Sequence, residues 1–469
     1  MRLYLLLLIF IILSINVNAS WQTYQNDLRS TGTSNGTGYF PLKTANFSDD
    51  SLGMDFQPTV NDLDKNGNNE IVIFSNDSLI IFNPQLAILS QTKVGTILGQ
   101  PTLFDFDNDN FIEIIFNARQ NSTDYFFAYQ YSNSSLQQEF NITLSNPADF
   151  GGIKCVNING VNSCIFKDKR NYVNIVDMNS KTDKSYNTSA YNETRQTVPA
   201  IGDIDNDGNP DAVFWFNPDG TGGYGFLAFD LVQRNVKWTV DDIFYPFFGI
   251  TSGSVLKGQP VLVDLNNDGK LEIAASVFYD DNQPNLEGAY NDVFTELFVY
   301  NNSGNKLFSK CEKPEGDCND GSSLSHAWEG TNPFVLDINN DGINDICFIK
   351  DKKRYSDFKN MTINCYNYSG DLLFDSELFP STDTVKTAIV ADINNDGDKE
   401  IITENNIYTK NGQSILTYNL GSNFVVPVDI DGNKGLDLIW TKNSQTKVFL
   451  DNNNYTNDLS ISKSDITFS

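Results

Sequence analysis

Asp62-Leu-Asp64-Lys-Asn66-Gly67-Asn-Asn-Glu70 is a nine-residue run of oxygen donors set between two short apolar segments. The pattern recurs as Asp105-x-Asp107-x-Asp109-Asn110-x-x-Glu113, Asp203-x-Asp205-x-Asp207-Gly208-x-x-Asp211 and Asp264-x-Asn266-x-Asp268-Gly269-x-x-Glu272. Three further copies are Asp337-x-Asn339-x-Asp341-Gly342-x-x-Asp345, Asp392-x-Asn394-x-Asp396-Gly397-x-x-Glu400 and Asp429-x-Asp431-x-Asn433-x-Gly435-x-Asp437. Asp, Asn and Gly are ordinary turn residues. Seven copies with an acid fixed at position 9 are not explained by turn chemistry alone.

The spacing is that of a cation loop. Calcium takes about six to eight oxygen ligands in a flexible shell, and side chains at positions 1, 3 and 5 of a tight loop converge on one point. Glycine at position 6 permits the sharp turn. These positions match the start of an EF-hand loop, but here the closing carboxylate stands at position 9, and the flanks are wrong for helices. Apolar runs such as Ile71-Val-Ile-Phe74, Ala212-Val-Phe-Trp215 and Leu438-Ile-Trp440 follow the loops and read as strands. The expectation is up to seven bound Ca²⁺ ions, held weakly, on the order of 10⁻⁴ to 10⁻³ M, because Asn at position 3 or 5 lowers the ligand charge in several loops. Two loops depart from the pattern. Asn110 replaces glycine in the second, and in the last Lys434 stands at position 6 with Gly435 one place later.

The repeat extends beyond the loop. Proline stands four residues before the first Asp in five copies (Pro58, Pro101, Pro199, Pro260, Pro333), which suits a strand start. Downstream comes a third apolar run and a turn, as in Tyr300-Asn-Asn-Ser-Gly304, Tyr366-Asn-Tyr-Ser-Gly370 and Tyr408-Thr-Lys-Asn-Gly412, and then a fourth run. Each unit is thus strand A, loop, strand B, connection, strand C, turn, strand D. Tandem four-stranded units make an all-β fold, a β-propeller. A degenerate unit around Cys155–Cys164, without the carboxylates, brings the expected number to eight blades, with seven as the alternative. The last blade has A, B and C near 424–450, and Leu42–Phe47 supplies its D strand, so that no edge is left free.

These motifs resemble the FG-GAP/VCBS repeat family, which includes the calcium-binding propeller of integrin α subunits. The resemblance covers about residues 20–460. It implies structural Ca²⁺ in the loops, partners docking on the opposite face, and a binding or adhesion role. Related propellers also occur in secreted polysaccharide-acting enzymes.

Met1–Ala19 has Arg2, an apolar run Leu3–Ile15 and a small-residue end before Ser20, which reads as a secretory signal peptide, with an uncleaved membrane anchor as the alternative. Residues 20–469 are then one exported propeller domain. Lys+Arg 32 against Asp+Glu 60 gives a net charge of −28, and 23 of the acids occupy loop positions 1, 3, 5 and 9. Seven divalent ions would halve that charge, and nucleic acid is not expected as a partner. Six cysteines in an exported chain suggest disulfides, with Cys155–Cys164, Cys311–Cys318 and Cys347–Cys365 favoured by proximity. Sequons at Asn46, Asn121, Asn141, Asn192 and Asn360 permit glycosylation.

Long insertions at 217–224, 241–258, 279–293, 310–332 and 350–361 fall in B–C and D–A connections, on the face opposite the acidic loops. They carry aromatics, among them Tyr245, Phe248, Tyr279, Tyr290 and Trp328, which suit an extracellular protein or glycan ligand. The alternative is that these rings pack the insertions onto the blades. Catalysis is not expected: His326 is the one histidine and no G-x-S-x-G motif occurs. The leading expectation is a secreted calcium-binding module for binding or adhesion. The alternatives are a polysaccharide-acting enzyme and a structural surface-layer component.

Overall fold

The computed structural model describes, apart from isolated positions, residues 56–145, 151–188, 198–216, 224–243, 254–280, 293–312, 332–353, 359–378, 388–417 and 424–450, with parts of 27–45. Every regular element among them is a β-strand, arranged as eight small sheets. Blade 1 shows the plan: strands Thr59–Asn61, Glu70–Ser75, Ser78–Phe82 and Ile88–Lys93 (A to D) pair antiparallel in sequence order. In five blades strand A begins immediately after the recurring proline, at Thr59, Thr102, Ala200, Val261 and Phe334. The ring nitrogen, which has no hydrogen to donate, thus lies just outside the ladder.

The sheets close into a ring because each buries both faces against its neighbours. Separate apolar clusters lie between blades 1 and 2 (Val72, Phe116), 2 and 3 (Phe126, Phe166), 3 and 4 (Ile165, Phe214), and 4 and 5 (Trp215, Tyr300). Others join blades 5 and 6 (Val299, Phe348) and 6 and 7 (Ile363, Tyr408), and one cluster spans blades 7, 8 and 1 (Ile402, Val426, Ile71). This burial on both faces explains why the B and C strands read as continuous apolar runs and not as alternating ones. Strand A of each blade touches strand A of a neighbour at five points around the ring, so the A strands are innermost.

Eight blades are confirmed, and so is the closure. Lys43–Ala45 pairs antiparallel with Gln445–Leu450, completing blade 8 behind Phe424–Val428 and Asp437–Lys442. Sequence reading did not anticipate what precedes that strand. Asp27, Arg29, Ser30 and Thr33–Thr37 meet the inner strands of four blades. Lys154 Nζ of blade 3 donates to the Asp27 carbonyl (2.6 Å) and Ser30 Oγ (2.6 Å), and the Leu262 amide of blade 5 donates to the Arg29 carbonyl (3.0 Å). Thr33 Oγ1 then donates to the Val335 carbonyl of blade 6 (3.2 Å), and Thr33–Thr37 pairs parallel with strand A of blade 7, Ile389–Asp392. The N-terminal segment therefore lies along the axis of the ring. Lys154 is fully buried there, and desolvation pushes its pKa down to about 7 against the opposing charge of Asp27.

Two of the three expected disulfides are present. Cys155–Cys164 links strands A and B of blade 3, and Cys347–Cys365 links B and C of blade 6. Cys311–Cys318 falls outside the described residues, since Cys318 is not among them. Blade 3 closes its A–B hairpin with the two-residue turn Asn159-Gly160, both at positive φ (50° and 82°), the shape a tight hairpin requires.

Candidate metal centres

The seven acidic loops are built to one plan. In each, the residue before position 1 pairs across the ladder with the acid at position 9: Asn61 with Glu70, Phe104 with Glu113, Gly202 with Asp211, Val263 with Glu272, Leu336 with Asp345, Ala391 with Glu400 and Val428 with Asp437. Position 9 is therefore the first residue of strand B, and all seven of these acids are buried. One oxygen of each accepts the amide of position 2, at 2.8 Å in the first and last loops (Leu63, Ile430) and 2.9 to 3.3 Å in the others.

The rest of the loop folds around position 1. Asp62 Oδ1 and Oδ2 accept the amides of Asn66 and Gly67 at 3.0 Å each, and Asp203, Asp264, Asp337 and Asp392 repeat both bonds. Position 5 in turn accepts the amide of position 7 in all seven loops, from 2.7 to 2.8 Å. Asn110 keeps the second loop intact: it holds a φ of 68° and donates its amide to Asp105 Oδ2 at 3.0 Å, as glycine does elsewhere. In the last loop the displaced glycine, Gly435, behaves as an ordinary position 7, donating to Asn433 Oδ1.

Position 4 had no role in the sequence pattern, yet it is left-handed in every loop. Lys65, Asn108, Asn206, Asn267, Asn340, Asn395 and Gly432 have φ between 58° and 74°. It also reaches the next loop around the ring. Lys65 Nζ donates to the Asp109 carbonyl (3.5 Å) and sits over the Phe111 ring, and Asn340 Nδ2 donates to Asp398 (3.4 Å). Gly432 of blade 8 packs so closely on blade 1 that an added Cβ would meet the Gly67 carbonyl oxygen at 2.1 Å. The signal for this role was the run of Asn at position 4, the residue that most readily takes a left-handed backbone after glycine.

The loops differ in how they gather charge. Carboxylate oxygens of Asp62, Asp64 and Glu70 lie within 4.8 Å of one another, as do those of Asp105, Asp107 and Glu113, of Asp203, Asp205 and Asp211, and of Asp429, Asp431 and Asp437. In the other three loops position 3 is an asparagine whose amide turns to a neighbouring carboxylate: Asn266 to Asp268 (3.4 Å), Asn339 to Asp341 (2.8 Å) and Asn394 to Asp396 (3.0 Å). The sequence already implies a lower ligand charge for loops with Asn at position 3 or 5; these three carry three acids each, as the first and last loops do, with the asparagine at position 3 and not 5.

Burial and mutual repulsion perturb the position 9 acids. Desolvation, helped by neighbouring aspartates, raises Glu70, Glu272, Asp345 and Glu400 to about 7 and Glu113 to about 8, each against an opposing backbone hydrogen bond. Asp211 also rises to about 7 by desolvation, moderated by Lys237. Buried oxygens Asp105 Oδ1, Asp205 Oδ1 and Asp211 Oδ1 have no hydrogen-bond partner. A donor set made only of oxygens, with surplus negative charge and unpartnered buried lone pairs, fits a hard divalent cation such as Ca²⁺.

Of the five candidate ligand-binding aromatics, Tyr279 is the only one within the described residues. It lies in strand B of blade 5, where its backbone pairs with Val255 and Phe294. Tyr245, Phe248, Tyr290 and Trp328, like His326, lie outside the described residues. Among the sequons, Asn121 and Asn141 are exposed, Asn121 at the tip of a B–C hairpin.

Fold and site together define an all-β, eight-bladed propeller with acidic A–B loops on one face. Residues 337–403, from the loop of blade 6 to strand B of blade 7, match the FG-GAP-like repeat family. Comparison with curated proteins finds no match. Among solved structures, the biofilm matrix protein Bap1 of V. cholerae is 13% identical with a TM-score of 0.44, covering 85% of this chain and 77% of its own. BBS1N, solved in complex with ARL6DN, is 11% identical with a TM-score of 0.42, covering 87% and 97%. The exotype rhamnogalacturonan lyase YesX is 13% identical with a TM-score of 0.44, covering 86% of this chain and 61% of its own length. Among the described residues no helix is long and apolar enough to cross a membrane. The two disulfides and the FG-GAP repeat are consistent with an extracellular protein.

Proposed function

We propose that this chain is a secreted, calcium-stabilised β-propeller that acts without catalysis as an extracellular binding or adhesion module. One observation carries the reading: seven loops of unlike surrounding sequence share one hydrogen-bond plan that buries a carboxylate at position 9 and leaves oxygen donors facing each other. Calcium would be held by positions 1, 3, 5 and 9, its charge offsetting repulsion that the fold otherwise has to tolerate. In this reading the apolar start Leu3–Ile15 directs export. The partner is an extracellular protein or a glycan, met by the insertions on the face away from the acidic loops. The axial N-terminal segment supports docking on a face: the centre of the ring is occupied by the chain's own residues.

The test is a screen of purified protein on glycan and extracellular-protein arrays, with and without millimolar calcium. Calcium-dependent capture of one partner class, with no turnover of polysaccharide, is the expected result. Release of new reducing or unsaturated sugar ends on incubation with polysaccharides would overturn the non-catalytic part of the reading.

A further inference from the structure

Six blades share a bulge at one place in strand D, opposite the strand C residue that pairs with the second residue of strand B. The extra residue there is Leu89 in blade 1, Glu139 in blade 2, Lys237 in blade 4, Leu307 in blade 5, Leu373 in blade 6 and Ile415 in blade 7. Leu89, Leu307 and Ile415 pack against apolar clusters between blades. Lys237 does something else. It comes from strand D (Asn235–Ile243), and its ammonium lies 2.7 Å from Asp205 Oδ2 and 3.0 Å from Asp211 Oδ2, positions 3 and 9 of its own blade's loop. The far oxygens of both carboxylates, Asp205 Oδ1 and Asp211 Oδ1, are buried without a hydrogen-bond partner.

The loop that receives this lysine has carboxylates at all four ligand side-chain positions: Asp203, Asp205, Asp207 and Asp211. The second loop is the other with four, and its bulge residue is Glu139, whose carboxyl feels Asp107 and Asp109, while a neutral amide, Gln130 Nε2, donates to Asp109 Oδ2 (3.2 Å) and Glu113 Oε1 (3.4 Å). Two loops of equal acidity thus meet opposite charges from the same structural position.

Resting on the calcium reading above, we propose that Lys237 is a built-in cation of the blade 4 loop. It holds Asp205 and Asp211 together when no divalent ion is present, and it competes with calcium for their oxygens. Blade 4 then stays closed at low calcium, and its site fills last. A divalent ion that enters has to displace the ammonium from two ligands, so the same four acids bind it less tightly than they would alone.

The experiment compares wild type with Lys237→Leu, the residue found at this bulge in three other blades, and with Lys237→Met, which keeps the length of the stem. Calcium binding is followed by titration calorimetry on protein freed of metal, and melting is followed on the same metal-free samples. Both variants should show one site tightened by about tenfold or more at unchanged affinity of the others. Both should also melt lower than wild type without metal, and that gap should close in millimolar calcium. Unchanged calcium affinities, or unchanged metal-free melting, in both variants would overturn the role of Lys237. A wild type that takes up no calcium at all would refute the calcium reading itself, a result distinct from a wild type that binds calcium while the variants match it.

Discussion

Removing calcium should make the fold pH-sensitive in an unusual direction. Six position 9 acids, Glu70, Glu113, Asp211, Glu272, Asp345 and Glu400, are raised from ordinary values of 4.5 or 3.8 to about 7 or 8, with burial as the leading cause. An acid raised in the folded state keeps its proton there after the unfolded chain has lost it. Between about pH 4.5 and 7 the native protein therefore binds more protons than the unfolded one, and stability falls as pH rises. At about 1.4 kcal/mol per unit, the roughly two to three units between pH 5 and these folded values cost about 3 to 4 kcal/mol per group by pH 8. Six such costs exceed the usual total of about 5–15 kcal/mol for a domain. Hydration and loop relaxation must therefore absorb much of it, and half the sum is about 10 kcal/mol. A chain of 469 residues has an unfolding entropy near 1 kcal/mol/K at about 2.1 cal/mol/K per residue, so the melting temperature should drop by about 10 °C from pH 5 to pH 8. Scanning calorimetry on dialysed, metal-free protein measures this directly. Saturating calcium, which favours the ionised carboxylates, should abolish the drop and release protons on binding near pH 6.5. A metal-free melting temperature that is flat or climbs between pH 5 and 8 would refute the claim that these buried acids are the strained element.

Three further outcomes follow from the contacts between blades. Gly432→Ala should cost about 1–3 kcal/mol, because the added methyl meets the Gly67 carbonyl at 2.1 Å, whereas Asn267→Ala at the same loop position should cost less than 1 kcal/mol; chemical denaturation of both variants decides. Deleting residues up to Ala45 removes the outer strand of blade 8 and uncovers the edge of Gln445–Leu450, so the truncated protein should associate more than the full chain, as read by light scattering on both. Replacing Cys155 and Cys164 together by serine should lower stability by about 2–3 kcal/mol, the loop-closure value for a nine-residue separation, with unchanged calcium stoichiometry.

The parts of the fold legible in the sequence are those written as local pattern. The acid at position 9, the proline before strand A and the turn after strand C each leave a fixed spacing, and together they delimit eight blades. Even the distant closure by Lys43–Ala45 was readable, because blade 8 lacked a fourth strand and something had to supply it. Position 4 went unread because its residue is not a ligand. Its work is conformational and between loops, and a single unit's spacing does not show which neighbour it will touch. Lys237 was missed for a related reason. It is 26 residues from Asp211, and only the D-strand bulge turns an edge lysine toward the loop of its own blade. The axial path of Asp27 to Thr37 has no periodic signal at all; it is visible only as hydrogen bonds to blades 3, 5, 6 and 7.

Blade 3 clarifies what the acidic loops contribute elsewhere. Its A–B hairpin has no carboxylates at the loop positions. Instead, Asn159-Gly160 supplies a two-residue turn, Asn157 Oδ1 accepts the Gly160 amide (2.8 Å), and the disulfide ties the cross-strand pair Cys155–Cys164 further along the hairpin. The blade still meets its neighbour at the loop face, where Asn162 Nδ2 donates to the Phe106 carbonyl of the second loop (2.6 Å). An uncharged hairpin with a covalent tie therefore satisfies the geometry that seven long acidic loops satisfy by gathering charge. If sheet closure were the only requirement, the shorter solution would serve in every blade. On the calcium reading proposed above, the acidic version would add a dependence on a soluble cation, with Lys237 setting the blade 4 loop apart. On that reading a fall in calcium would leave the blade 3 hairpin held by its disulfide and the blade 4 loop by Lys237, while the other six acidic loops would lose the ion that gathers them.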